Sequence, residues 1–216
     1  GKAVSYADKN EAQKVLTTLS GEAEVLSFEK TAKKTQPDQL YKLTDIQVEA
    51  GSKYGYTPEK TLELIQSLYE RHKLISYPRT DGRYVSTEKS KDFARLLKAV
   101  EAMPSLSAAV KTVTPEAIAA AQGNKRFVND VEVQKSSHDA LIPTGDTAAL
   151  GNLTMDEMHI CEMIFKRFLA IFFPPLEEEK TKAVLTDNNI KFSCTGSKVV
   201  NPGFTVLTSK PKETPL

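Results

Sequence analysis

Apolar positions follow a strand-like period at both ends of the chain and a helical one in the middle. At the start, residues 3–6 read as a short strand. Asn10 can then cap a helix carrying Val15, Leu16 and Leu19, with Gly21 as its stop. Residues 23–28 read as a strand, and the polar, basic run from Lys30 to Pro37 as a connector. From Leu40 to Phe173 the spacing turns helical. Thr44 can cap a helix through Ala50, and Thr57-Pro58-Glu59 opens one whose apolar face is Leu62, Ile65, Leu68 and Tyr69. Pro78 disfavours helix at Tyr77, so residues 74–80 are expected to be extended or looped.

Further on, Phe93, Leu96, Leu97 and Val100 line a helix entered near Ser86 or Thr87. Thr114-Pro115-Glu116 starts another, which Gly123 ends. Thr154 and Glu157 form a capping box before Met158, Cys161, Phe165, Phe168 and Phe172, and Pro174-Pro175 stops that helix. Residues 181–186 and 190–195 flank Asp187-Asn188-Asn189 as a hairpin, and residues 204–207 can add a third strand. The pattern predicts an α+β chain. A mainly helical domain, residues 37–174, is inserted into a small antiparallel β-rich domain built from 1–36 and 175–216.

At 216 residues, 40% hydrophobic and 26% charged, the chain can bury a core without staples, and a wholly disordered chain is excluded. No apolar run approaches the ~20 residues of a membrane span, and no charged-then-apolar leader opens the sequence. Cys161 and Cys194 cannot form a disulfide framework and neither sits in a metal-ligand spacing, which favours a reducing, cytoplasmic home. With 29 Lys+Arg against 28 Asp+Glu, the net charge is +1, so an anionic partner must be held by local patches.

One such patch exists. From Arg71 to Arg95, seven Lys/Arg face three acids, a local +4. Within it, an extended Tyr77-Pro78-Arg79-Thr80-Asp81 would present a phenol, a guanidinium and a carboxylate on one side. A phenol can attack a phosphodiester while an arginine grips the phosphate oxygens, with Asp81 orienting that arginine. The same residues also suit a surface loop with a solvated ion pair. His138, in Ser137-His138-Asp139-Ala140-Leu141-Ile142-Pro143-Thr144, can donate to a phosphate or relay a proton, or be a structural histidine before a turn. His72 and His159 fall in helical patterns and read as surface or packing residues. The Phe165, Phe168 and Phe172 stripe reads as core.

Together the tyrosine and histidine segments resemble those of the type IA DNA topoisomerases, on the topoisomerase III side. The tyrosine motif is similar to residues 75–81 and the histidine motif to residues 138–144. The lead-in helices are similar to residues 41–47 and 54–57. Gly82 stands where the family more often has serine or cysteine. The family's Asp-x-Asp-x-Glu cluster and its separate Lys/Glu segment are not found, Asp130-Val131-Glu132 being a fragment of such spacing.

The resemblance implies the central part of such an enzyme: arch strands plus the tyrosine domain. In the parent, Tyr77 would attack single-stranded DNA, forming a 5′-phosphotyrosine link and a free 3′-hydroxyl, and resealing would need no nucleotide. Arg79 and His138 would hold the phosphate, with Thr80 and Asp81 shaping the loop. Lys53, Arg83, Lys135 and Thr144 are the further DNA-binding candidates. Mg2+ would be bound by a metal-binding domain outside this chain and none by the fragment, which is expected to be inactive alone. The implied partners are DNA, single-stranded at the cleavage site, and the rest of the parent chain, with no membrane; the implied setting is the nucleoid. A non-catalytic nucleic-acid-binding module of the same fold and a tyrosine recombinase are the alternatives.

Overall fold

The structure, a computed structural model, describes residues 8–208 and 213–215; the strand expected at 3–6 lies outside them. The chain divides into two compact units. One comprises Gly1–Thr35, Leu176–Pro202 and Lys210–Leu216, and the other Gln36–Pro175 with Gly203–Ser209.

The first unit carries helix α1 (Lys9–Thr17) and an antiparallel sheet of order β1 (Glu24–Thr35), β2 (Leu176–Asp187), β3 (Ile190–Asn201). The cap of α1 is Asp8, which accepts from the Asn10 N–H at 2.6 Å, rather than Asn10, and the helix ends well before Gly21. The hairpin falls where Asp187-Asn188-Asn189 marks it. Asn188 and Asn189 take positive φ of 46° and 63°, the handedness a two-residue hairpin turn needs. The run from Lys30 to Thr35, expected as a connector, is strand. Its pairing rests on charge instead of apolar alternation: Lys34 meets Glu177 at 2.7 Å and Lys30 meets Glu179 at 2.8 Å across the β1–β2 ladder.

The second unit holds α2 (Leu43–Tyr54), α3 (Pro58–Glu70), α4 (Thr87–Ser90), α5 (Phe93–Glu101), α6 (Pro104–Val110), α7 (Pro115–Gly123), α8 (Asp130–Ser136) and α9 (Met155–Ala170). Thr57, Thr114 and Thr154 cap their helices as the sequence suggests, the last in a reciprocal capping box with Glu157. Thr44 is not a cap, because α2 begins one residue earlier with no side-chain capping bond. The helix entered at Ser86 breaks after one turn and restarts at Phe93.

The core is built from Ile65 and Leu68 of α3, Phe93, Leu96 and Val100 of α5, and Ile164, Phe165 and Phe168 of α9, all fully buried. Phe93, Phe168 and Phe172 pack edge to face with centroids 5.2–5.5 Å apart, as a core reading of that stripe requires. The strand expected at 204–207 is instead a 3₁₀ helix, Gly203–Leu207, and belongs to this unit rather than to the sheet. Phe204 N–H donates to the Pro174 carbonyl at 3.0 Å, and Leu207 is buried in the helical core. Gly203 has φ 49°, and a Cβ there would lie 2.3 Å from the carbonyl oxygens of Pro174 and Pro175, so the turn closes only on glycine.

Candidate active site

Tyr77 and His138 are 61 positions apart in sequence and adjacent in space because their segments are zipped together. Ile75 bridges Pro143 in antiparallel sense. Ser76 donates its N–H to the Ile142 carbonyl at 2.9 Å and its hydroxyl to the Ala140 carbonyl at 2.8 Å. The same hydroxyl accepts from the Ile142 N–H at 3.0 Å. Thr144 N–H reaches the Leu74 carbonyl at 3.0 Å. Leu74, Ile75, Ala140, Leu141 and Ile142 are fully buried, so the zipper is anchored by hydrocarbon and fixes the ledge beyond it.

On that ledge Tyr77 is 38% exposed. Its centroid lies 4.4 Å from that of His138, tilted by 41°, and 5.7 Å from that of Tyr69, which meets it edge-on at 87°. His138 is itself exposed.

The remaining residues singled out from sequence sort into free and committed groups. Arg79 is exposed and makes no hydrogen bond or ion pair among the described residues. Asp81 is also exposed and does not pair with Arg79, which corrects the expectation that it orients that arginine. The chain bends at Ser76, Pro78 and Arg79, yet exposure still alternates, with Tyr77, Arg79 and Asp81 outward and Pro78 and Thr80 inward. Thr80 is 1% exposed and acts as an internal strut. Its hydroxyl accepts from the Gly82 N–H at 3.0 Å and its carbonyl accepts from the Leu43 N–H at 3.0 Å, so its buried side chain presents no open contact for DNA. The Thr144 hydroxyl is likewise committed, donating to the Lys73 carbonyl at 2.6 Å.

Arg83 forms a two-pronged pair with Asp45, Nε to Oδ2 at 2.6 Å and Nη2 to Oδ1 at 2.7 Å, which ties the loop to α2. Burial opposes the charge on Asp45, yet Arg83 holds its carboxyl below the usual range. Lys135 pairs with Glu132 at 2.6 Å while staying 67% exposed. Lys53 lies elsewhere, over the Tyr54 ring and lining a cleft with Tyr41, Glu49 and Arg167.

The same sorting resolves the local +4. Arg83 pairs with Asp45 and Lys91 with Glu88, while Lys89 and Arg95 share Asp92. Arg71, Lys73 and Arg79 make no ion pair among the described residues. The unspent positive charge therefore sits on either side of Tyr77.

Gly82 has a steric reason. A Cβ there would lie 2.5 Å from Ser136 Oγ and 2.9 Å from the His138 carbonyl, the oxygen to which Ser136 Oγ donates at 2.9 Å. Gly82→Ala is expected to push the Ser136–His138 turn outward and to lower stability by about 1–3 kcal/mol. Thermal unfolding of the chain measures this; an unchanged midpoint would show that the turn yields without cost.

Two participants have weak sequence signals. Tyr69 reads only as one apolar position among four on α3. Asp139, whose Oδ1 accepts from the Ser86 N–H at 2.7 Å, is visible only as the neighbour of His138. His72 is buried against Glu157 at 3.1 Å, a packing role within the range expected of it, and His159 stacks on Tyr54 at 4.2 Å.

A ledge carrying a tyrosine, an unpaired arginine and a histidine is suited to phosphodiester chemistry. The family model described as DNA topoisomerase matches residues 1–216. The chain belongs to the type IA DNA topoisomerases. It is similar to DNA topoisomerase 3 of Bacillus licheniformis, with 34% identity over 215 residues that cover 94% of this chain and 29% of the relative. The DNA topoisomerase 3 of Shouchella clausii is 37% identical over 172 residues, 80% of this chain and 23% of its own. Full-length topoisomerase I from Thermotoga maritima shares the fold, with a TM-score of 0.70 and 23% identity over the whole of this chain and 34% of that one.

The chain thus spans about 29% of the length of the Bacillus licheniformis relative. Among the described residues no group of three or more His, Cys, Asp or Glu is placed to hold a metal ion. Nor is any helix among them long and apolar enough to cross a membrane.

Proposed function

We propose that this segment supplies the nucleophile and the phosphate grip of a full-length type IA topoisomerase acting on single-stranded DNA in the bacterial nucleoid. The observation that carries the reading is the Tyr77 ring, part-exposed and held at 4.4 Å from His138 beside an unpaired Arg79.

The phenolic oxygen of Tyr77 attacks phosphorus, the bond from phosphorus to the 3′-oxygen breaks, and that oxygen leaves with a proton as a free 3′-hydroxyl. The tyrosine gives up its own proton as the new ester forms. Reversal reseals the strand, and the ester conserves the bond energy, so no nucleotide is consumed. Arg79 grips the scissile phosphate and stabilises the charge building on its oxygens. His138 hydrogen-bonds the same phosphate or its neighbour. Lys135 remains a candidate backbone contact, and Lys53 one for DNA farther from the break. Thr80, Asp81, Arg83 and Thr144 shape the ledge. Mg2+ belongs to a part of the protein outside this chain, and none of these steps runs through it. Strand passage is assigned to the tyrosine-bearing unit lifting away with the bound 5′ end, the sheet unit, which the chain enters and leaves at 35–36, 175–176 and 202–203, serving as the hinge.

The polarity of the covalent link tests this. With the full-length protein and an oligonucleotide labelled at one end or the other, the 3′-end label is expected to remain with the protein under denaturing conditions and the 5′-end label to be released. Arg79→Lys, which keeps the charge and loses the fork, is expected to lower adduct formation about 10²-fold. Adducts carrying the 5′-end label would point to recombinase chemistry, and the absence of adducts to a binding module.

A further inference from the structure

The turn out of α3 passes through a left-handed residue that is not glycine. Arg71 and His72 both donate their N–H groups to the Ser67 carbonyl, at 3.0 and 3.1 Å. Leu74 N–H reaches back six positions to the Leu68 carbonyl at 3.0 Å. Leu68 and Leu74, the residues that this last bond joins, are both fully buried. Between these bonds Lys73 takes the left-handed region, at φ 57°. Glycine adopts that conformation without steric cost; a side chain does not. A strained, non-glycine residue four positions before a nucleophile calls for a reason.

Its side chain supplies one. Lys73 Nζ lies 5.7 Å from the centroid of the Tyr69 ring, and Tyr69 in turn meets Tyr77 edge-on at 5.7 Å. The ammonium is exposed and takes no acidic partner among the described residues. Attraction of a cation to the helix C-terminus does not account for it, since Arg71 already brings an exposed positive charge there at an unstrained φ of −86°.

We propose that Lys73 binds a backbone phosphate of the strand that Tyr77 attacks, next to the scissile one and on the Tyr69 side of the nucleophile. This rests on the reading of Tyr77 given above and adds a second phosphate position to it. As a compact point charge, Lys73 holds the strand in place without selecting sequence.

Because strain and binding trade against each other, one substitution moves two readouts in opposite directions. In the 216-residue chain, Lys73→Gly is expected to raise the melting temperature by about 3 °C. In a salt titration with fluorescein-labelled oligothymidylate, it is expected to weaken binding about fivefold and to lower the slope of log K against log salt by about 0.7. Lys73→Asn, neutral and tolerant of the left-handed region, should bind as weakly as Lys73→Gly, and Lys73→Arg should bind like the unaltered chain.

Unchanged binding by Lys73→Gly overturns the inference; if Arg79→Gln still weakens binding in that series, the reading of Tyr77 stands without it. A lowered melting temperature for Lys73→Gly overturns the strain premise and the inference with it. Absence of salt-dependent binding by the unaltered chain overturns the inference as well, leaving the covalent-adduct experiment to decide the nucleophile.

Discussion

A full-length protein carrying Tyr77→Phe is expected to form no covalent DNA adduct while keeping its fold and its affinity for single strands. The Tyr77 hydroxyl makes no hydrogen bond among the described residues, so its removal strands no buried partner. The phenyl ring of the replacement occupies the same place against His138 and Tyr69, and stability should stay within about 0.5 kcal/mol. Only the attacking oxygen is lost. Removal of a nucleophile from a site that works as a unit is expected to cost about 10⁴-fold or more in cleavage, since neither Arg79 nor His138 can take over its covalent role. The measurement is a denaturing gel of protein and labelled oligonucleotide, beside an anisotropy titration for binding. Persistent adducts would move the nucleophile elsewhere. Loss of binding together with cleavage would mean that the phenol grips DNA rather than attacks it.

The two residues that matter most for this prediction are visible from sequence, since the composition of the tyrosine and histidine segments is unusual enough to be noticed. What brings them together is not. The zipper joins Ser76 to Ile142 through backbone bonds and one hydroxyl, and no single chain displays which apolar run lies against which. The helices that carry the site are legible where a cap coincides with an apolar face, as at Thr57 and Thr154. α6 and α8 escape because seven residues are too short for a period to emerge, although Asn129, which accepts from the Glu132 N–H at 3.3 Å, was a cap signal for the second.

The error within the site is to read a shared face as an ion pair. Strand alternation does put Tyr77, Arg79 and Asp81 on the exposed side and Thr80 on the buried one, yet Arg79 and Asp81 do not pair, and it is Asp45, on α2, that holds an arginine of the loop. Charge misleads in the same way on β1, where lysines pair across a ladder with glutamates that only the fold places opposite them.

Beneath the tyrosine ledge, Glu157→Gln is expected to cause the largest loss of stability of any near-isosteric change in the helical unit. The Glu157 carboxylate is 4% exposed and accepts four hydrogen bonds. Ser67 Oγ at 2.6 Å and His72 Nε2 at 3.1 Å meet one oxygen; the Thr154 N–H and hydroxyl, both at 2.9 Å, meet the other. One carboxylate thereby joins the start of α9 to the end of α3, from which the chain enters Lys73, Leu74 and the tyrosine segment. Burial is the largest single influence and disfavours its charge. The bonds from Ser67, Thr154 and His72 together outweigh burial and hold the carboxyl at about 2.

A group whose acidity is strengthened by folding stabilises the fold fully above its unfolded pKa, near 4.5, and loses that contribution as pH falls towards 2. The contribution is of the order of 3 kcal/mol. An amide at this position replaces one acceptor by a donor facing donors, which costs about as much at neutral pH. Six of the seven tyrosines lie in the helical unit and the chain has no tryptophan, so tyrosine fluorescence during urea unfolding follows that unit. The unaltered chain should weaken steeply between pH 5 and pH 2, whereas Glu157→Gln should start about 3 kcal/mol lower and show a flatter acid limb. A variant as stable as the parent at pH 7, with the same acid limb, would mean that the four bonds merely offset the cost of burying the charge, and that α3 and α9 are held together by Leu68, Ile164 and their apolar neighbours alone.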